Sequence, residues 1–332
     1  MSATDLATVL DTAARASDFS GVIRVDRPGA APVSRAYGLA DRARQIPATV
    51  DHRFGVASIT KGFTVVTVGS LIDAGQLGWN QPVRTLLGDD LPLTDDRVTV
   101  AQLLSHTSGI GDYLDESEGE ITDYVLDVPV HRLDHTEAYL PLLDGRAQVE
   151  EPGQTFRYNN AGFVLLALVA ERATGVAFAE LVGQRVFTPA GMSHSGFPRS
   201  DEPTADLARH YLAADGPRTN VLHLPVVGSG DGGAATTAGD LAAFWSALLN
   251  GRLVSPETLA RLTTPVSEVA DEGMRYGHGF WLGLTSGTLI LEGYDAGVSG
   301  RSWHDPATGT TATVIANWSD GAWPVLRAVD WS

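Results

Sequence analysis

Half-buried strand patterns sit at both ends of this chain, with helical patterns filling the middle, and that arrangement limits the fold more than any other feature. Near the N-terminus, SGVIRVD (20–26) and VSRAYGLA (33–40) alternate apolar and polar residues around a Pro-Gly turn, which predicts a hairpin. Strand patterns return only in the tail, at MRYGHGFWLG (274–283), GTLILEG (287–293) and TATVIANW (311–318). Helical spacing marks residues 5–17, 58–74 with Gly75 placed to end the helix, 100–105 behind a Thr99 cap, 135–143, 161–173, 176–186, 238–249 and 323–330. Strands with one apolar face must find partners, so the two ends are expected to join in a single antiparallel sheet. The expected class is α+β, an α/β sandwich of antiparallel sheet flanked by helices. Its sheet-containing α/β domain takes residues 1–80 and 255–332, and residues 81–254 form an inserted, mainly helical domain, the whole being one interwoven catalytic unit.

Composition removes several function classes. Forty acidic residues against 23 basic ones leave a formal charge of −17 over 332 residues. That balance argues against nucleic acid and against anionic lipid, both of which are bound through clustered cations. The longest nearly unbroken apolar run, 163–170, is far short of the ~20 residues a membrane span needs. Residues 1–19 carry no basic segment followed by an apolar stretch, so no secretory signal is read and the cytosol is the expected compartment. There is no cysteine, which excludes disulfides, thiolate metal sites and Cys nucleophiles. No cofactor and no metal are expected; the oligomeric state is not legible.

The basic residues divide into 22 arginines and one lysine, Lys61. A guanidinium stays protonated, whereas an ammonium can lose its proton when buried. Lys61 lies three residues after Ser58 in FGVASITKGFTVV, where a turn enters an apolar helix. Positions i and i+3 share a helix face, so amine and hydroxyl lie side by side. An activated serine needs such an amine or a base that it polarises, and the positive end of the helix favours the developing oxyanion. With 21 serines, about 6% of positions would place one there by chance. A second element is Tyr158-Asn159-Asn160, just before another helix. To act as a base near neutral pH, the phenol must fall from ~10 to about 7, about 4 kcal/mol of differential stabilisation, which an adjacent ammonium can supply. The bland alternative is a packed Tyr with the asparagines capping the helix.

SITK (58–61), LLSHTSGI (103–110) and YNN (158–160), in this order and spacing, resemble the serine β-lactamase/penicillin-binding-protein-like hydrolases, in particular the class C β-lactamase and family VIII carboxylesterase branch. GGAATTAGDLAAF (232–244) and the C-terminal strands resemble the same family. The resemblance implies a β-lactamase/transpeptidase-like fold with Ser58 as the acylated nucleophile. It also implies that Lys61 holds a proton relay with Tyr158, that Asn160 bonds the relay and the substrate, and that the Ser58 N–H is half of an oxyanion hole. The third family element departs: LEGYDAGVSGRSW (291–303) places Tyr294, Asp295, Ala296 and Gly297 where relatives carry Lys-Thr-Gly, His-x-Gly or Trp-Gly-Gly. Ala296 or Gly297 is expected to give the second oxyanion N–H. The cation that would hold a substrate carboxylate is missing, and Asp295, or a turn-capping role for it, stands in its place. The expected activity is an acyl-enzyme serine hydrolase on small-molecule esters or amides. Carboxylesterase leads, then amidase or D-aminopeptidase, then β-lactamase, with a non-catalytic ligand-binding protein as the other class.

Other motifs carry bland readings. His106 is expected to pack rather than to act as a base beside Ser108. His131 and His135 lie four apart with no Glu after the first, the 228–233 run GSGDGG has no following Lys, and no Gly-x-Ser-x-Gly elbow occurs. The acidic stretch 112–127 lacks the order of a calcium loop and reads as a solvated flap over the site.

Overall fold

The computed structural model describes residues 3–115, 119–202, 204–329 and 331. It is an α+β protein whose sheet draws strands from both chain ends. Eight strands, all antiparallel, run in the order Val33–Tyr37, Gly21–Asp26, Thr310–Ala316, Val298–Asp305, Leu289–Asp295, Trp281–Gly283, Met274–Tyr276 and Ser267–Val269. The expected junction of the two ends is the pairing of Val22 with Ile315 and Arg24 with Thr313. Thr310–Ala316 is buried along its whole length, as a central strand covered on both faces must be.

Alternation sorts the strand residues between two cores. Ile23, Val25, Val314 and Trp303 pack under the terminal helices Ala3–Ala16 and Ala322–Ala328. Val22, Ile315, Leu289 and Leu291 face the other way, towards Ala238–Leu249 and the central helix Thr60–Asp73. That central helix is buried from Thr60 to Leu71, covered all round as a helix between two layers has to be. Phe63 sits edge-on to Phe187 at 5.2 Å and to Phe244 at 5.3 Å, locking the helix into the core. Asn160–Thr174 packs beside it, and its first eleven residues are buried. Among the described residues no single helix is long and apolar enough to cross a membrane.

Several boundaries differ from expectation for physical reasons. The 274–283 segment is two strands, because the chain turns at Gly277 and Gly279. A Cβ on Gly277 would stand 2.4 Å from the Leu262 carbonyl oxygen, and Gly279 has φ 101° with Val65 against it. The strand Val298–Asp305, rich in small and polar residues, carries too weak a pattern to be read from sequence. The helix expected over 135–143 is a 3-10 turn, Thr136–Tyr139, followed by the short helix Leu140–Leu143. Thr99 caps Val100–Leu104 as expected, in a reciprocal capping box with Gln102.

Phe63→Ala should cost about 3–5 kcal/mol, measured by urea unfolding. A loss below about 1 kcal/mol would show that this helix is not locked as described.

Candidate active site

Ser58 is placed by a strand, a strained turn and a helix in succession. Phe54–Gly55 pairs with Ala235–Thr236, the Val56 N–H donates to the Ala234 carbonyl at 3.0 Å, and the 3-10 turn Ala57–Ile59 runs straight into Thr60–Asp73. Ala57 adopts φ 44°, a left-handed conformation that non-glycine residues rarely hold. Such strain persists only where the surroundings fix it, and it turns Ser58 out of the core into a cleft. Strand Leu289–Asp295 runs against this turn at Gly293. A Cβ there would stand 2.2 Å from the Val56 oxygen and 3.2 Å from the Ser58 nitrogen.

Lys61 is 2% exposed and donates three hydrogen bonds of 2.8 Å: to Ser58 Oγ, to Asn160 Oδ1 and to the Asp231 carbonyl oxygen. A buried ammonium is tolerable only with its donors matched in this way. The structure therefore brings Ser58, Lys61 and Asn160 together from two helices. Asn160 is not the helix cap. Asn159 caps Asn160–Thr174 by accepting from the Gly162 N–H, which leaves the Asn160 side chain to face the amine.

Tyr158 joins the group through its ring, whose centroid is 4.9 Å from Lys61 Nζ. It lies near-parallel to Trp281 at 6.2 Å and against His106 at 4.4 Å. His106 pins the segment that carries Tyr158. Its carbonyl accepts from the Arg157 N–H at 2.9 Å, and Nδ1 accepts from the Asn159 N–H at 3.1 Å, which leaves the ring proton on Nε2. Burial, with the Lys61 charge, pushes His106 well below its ordinary value. It is a neutral packing residue, as its sequence context suggests.

The glycine run 228–233 holds a contribution that the sequence reading missed. Thr64 Oγ1 donates to the Gly230 carbonyl at 2.6 Å, and the Ala234 N–H donates to Thr60 Oγ1 at 3.1 Å, stitching this loop to the central helix. A Cβ on Gly230 would sit 2.1 Å from the Phe163 oxygen. The glycines thus let the loop pass between two helices and present the Asp231 carbonyl to Lys61. The only hint in sequence is a single acid inside a glycine cluster.

The segment expected as a solvated flap is anchored in the core at its start. Burial pushes the Asp112 carboxyl up to about 6, opposed by the backbone N–H groups it accepts from, and Tyr113 and Ile121 are buried. Glu116, Ser117 and Glu118 of that segment lie outside the described residues.

Two cavities open beside Ser58. One is walled by apolar and aromatic groups such as Leu126, Tyr139, Val226 and Val298; among the described residues its acidic lining groups are Asp231 and Asp295, and no Lys or Arg lines it. The other is lined by Tyr158, Trp281 and Tyr294, with Asp115, Arg157, Glu272 and Glu292 around them. Tyr294 donates to Asp320 at 3.3 Å, and burial pushes its phenol up to about 12.

The amides of Ala296 and Gly297, expected at the oxyanion, are committed to other acceptors. They form the tight turn between Leu289–Asp295 and Val298–Asp305 and donate to Asp295 Oδ1 at 2.8 Å and to Ser319 Oγ at 2.9 Å. Asp295 accordingly both caps this turn and lines the first cavity.

A sheet closed by both chain ends, with a Ser-x-x-Lys pair at the head of its central helix, defines a β-lactamase-like protein. The chain belongs to the Beta-lactamase family, whose sequence model matches residues 6–330. It is 37% identical to the penicillin binding protein from Bacillus halodurans, whose crystal structure superposes with a TM-score of 0.90 over 96% of this chain and 98% of that one. It is 27% identical to penicillin-binding protein 4* of Bacillus subtilis (strain 168) over 296 residues, 83% of this chain and 62% of that protein. It is 35% identical to esterase EstB of Burkholderia gladioli over 202 residues, 58% of this chain and 50% of that protein. The chain thus spans about half to two thirds of the length of these curated relatives.

Gly293→Ala should destabilise the protein by about 1–3 kcal/mol, because backbone on both sides leaves the new methyl no room. Gly183→Ala, where nothing lies within 4 Å of a built Cβ, should cost nothing in the same chemical denaturation experiment. Equal midpoints for the two variants would refute the close approach of strand and turn.

Proposed function

We propose that the chain is a serine hydrolase working through an acyl-enzyme, and a carboxylesterase before anything else. The observation that carries this reading is the 2.8 Å contact between Lys61 Nζ and Ser58 Oγ, with the Tyr158 ring beside the same amine. Ser58 Oγ attacks the substrate carbonyl while its proton passes to Tyr158, whose phenolate form the Lys61 ammonium favours. That proton then goes to the departing alkoxide, leaving the acyl group on Ser58. Water attacks the acyl carbonyl, Tyr158 takes its proton, and the proton returns to Ser58 as the acid leaves. The oxyanion meets the Ser58 N–H at the positive end of the central helix. With the Ala296 and Gly297 amides committed elsewhere, the backbone at 293–294 is the source of the second donor.

The cavities support the substrate class. An apolar chamber whose charged lining is acidic repels the carboxylate of a β-lactam or peptide and admits a neutral acyl group. The likeness to an esterase points the same way. The carboxylates of Asp231 and Asp295 also fit a protonated amine, which makes an aminoacyl amide the second reading.

Ser58→Ala should abolish hydrolysis of short-chain p-nitrophenyl esters. Lys61→Arg, which keeps charge but cannot take the same place, should lose about a hundredfold or more in kcat. Full activity in Ser58→Ala would put the nucleophile elsewhere, and an active Lys61→Arg would remove the relay.

A further inference from the structure

Of the acceptors around Lys61, Asn160 Oδ1 and the Asp231 carbonyl come from separate parts of the chain. Both are tied to the same three residues, 112–114. The Asp112 carboxylate accepts the N–H of Asn160 at 2.7 Å on one oxygen, and those of Ala161 at 2.9 Å and Tyr113 at 2.7 Å on the other. It also accepts from the Leu114 N–H at 3.3 Å. The Leu114 carbonyl accepts from Asn160 Nδ2 at 2.9 Å. The Tyr113 hydroxyl donates to Asp231 Oδ2. Arg146 Nη1 holds the Asp112 carbonyl from behind at 2.9 Å.

Each contact constrains the amine's surroundings in a definite way. An amide side chain has an accepting and a donating end, and only the accepting end can face an ammonium. The Leu114 carbonyl takes the donating end of Asn160, so a flip that would turn NH2 towards Lys61 breaks a hydrogen bond and creates a repulsion. Asp231 is buried, so its carboxylate needs a donor to stay in place; Tyr113 supplies one and thereby fixes the backbone that offers its carbonyl to Lys61. Helix Asn160–Thr174 already has its own cap in Asn159. Asp112 therefore does more than start a helix, since it ties the helix to the 112–114 segment.

We infer that residues 112–114 are a positioning clip that holds the Lys61 ammonium on Ser58 from two sides, through Asn160 and through Asp231. The clip's effect on turnover rests on the hydrolase reading above; its effect on Lys61 does not.

Because the chain has one lysine, protein grown on lysine labelled with 13C at Cε gives a single side-chain resonance. Its titration reports Lys61 in the full chain, among the neighbouring titratable groups Asp112, Asp115, Asp231, Tyr113, Tyr139, Tyr158 and His106. Acceptors favour the charged amine, so weakening them lowers the midpoint. Asp112→Ala and the milder Tyr113→Phe should each move the midpoint down by about half a pH unit or more. They should also lower ester kcat about tenfold with KM within about threefold. An unchanged midpoint in folded Tyr113→Phe overturns the clip, as does a raised KM with kcat intact, which would make these residues cavity wall only. If the parent protein shows no Ser58-dependent hydrolysis, the hydrolase reading falls while the labelled lysine still decides the clip.

Discussion

One buried positive charge organises this molecule. An ammonium taken out of water is strongly destabilising unless its donors are matched, and removing a partner from such a group costs several kcal/mol. Lys61 meets that demand with acceptors 99 and 170 residues away in sequence, besides the serine three residues before it. The helix that bears it, the helix that begins at Asn160 and the glycine loop around Asp231 cannot be moved apart without stranding the charge. The same demand places a polarising group against a hydroxyl at a helix start, so the electrostatic constraint on the fold and the chemistry of the site are one arrangement.

The sheet makes that arrangement possible by where it puts backbone rather than side chains. Joining both chain ends brings the Leu289–Asp295 strand alongside the Ser58 turn, and Gly293 lets the two backbones approach without a Cβ between them. The rings of Trp281, on an inner strand of the sheet, and of His106 both pack against Tyr158, so the ring beside Lys61 is held by packing, and its segment by the His106 hydrogen bonds. The apolar chamber also opens at Ser58.

What could be read in the sequence was whatever depended on side-chain identity. A solitary lysine three residues after a serine stands out among 22 arginines, and Tyr158 and Asn160 stand out by their position before a helix. The closure of the sheet by both ends follows from where the alternating segments fall. What could not be read depends on backbone. Asp231 serves Lys61 through its carbonyl, an atom that every residue has. Asp112 looks like one acid among many until its oxygens are seen on the backbone N–H groups of a helix start. The tail hairpin at 277–280 was hidden because its aromatic alternation continues through the turn, and the direction of the Ala296 and Gly297 amides is fixed by strand pairing that composition does not reveal.

The chemistry proposed for this site requires Ser58 Oγ to be the atom that Lys61 makes reactive, and a covalent probe tests that most directly. After treatment with an alkyl p-nitrophenyl phosphonate, intact mass and peptide mapping should show one adduct per chain, on Ser58, and almost none over the same time in Lys61→Gln. An adduct on another residue, or equal labelling of Ser58 without the amine, would contradict it.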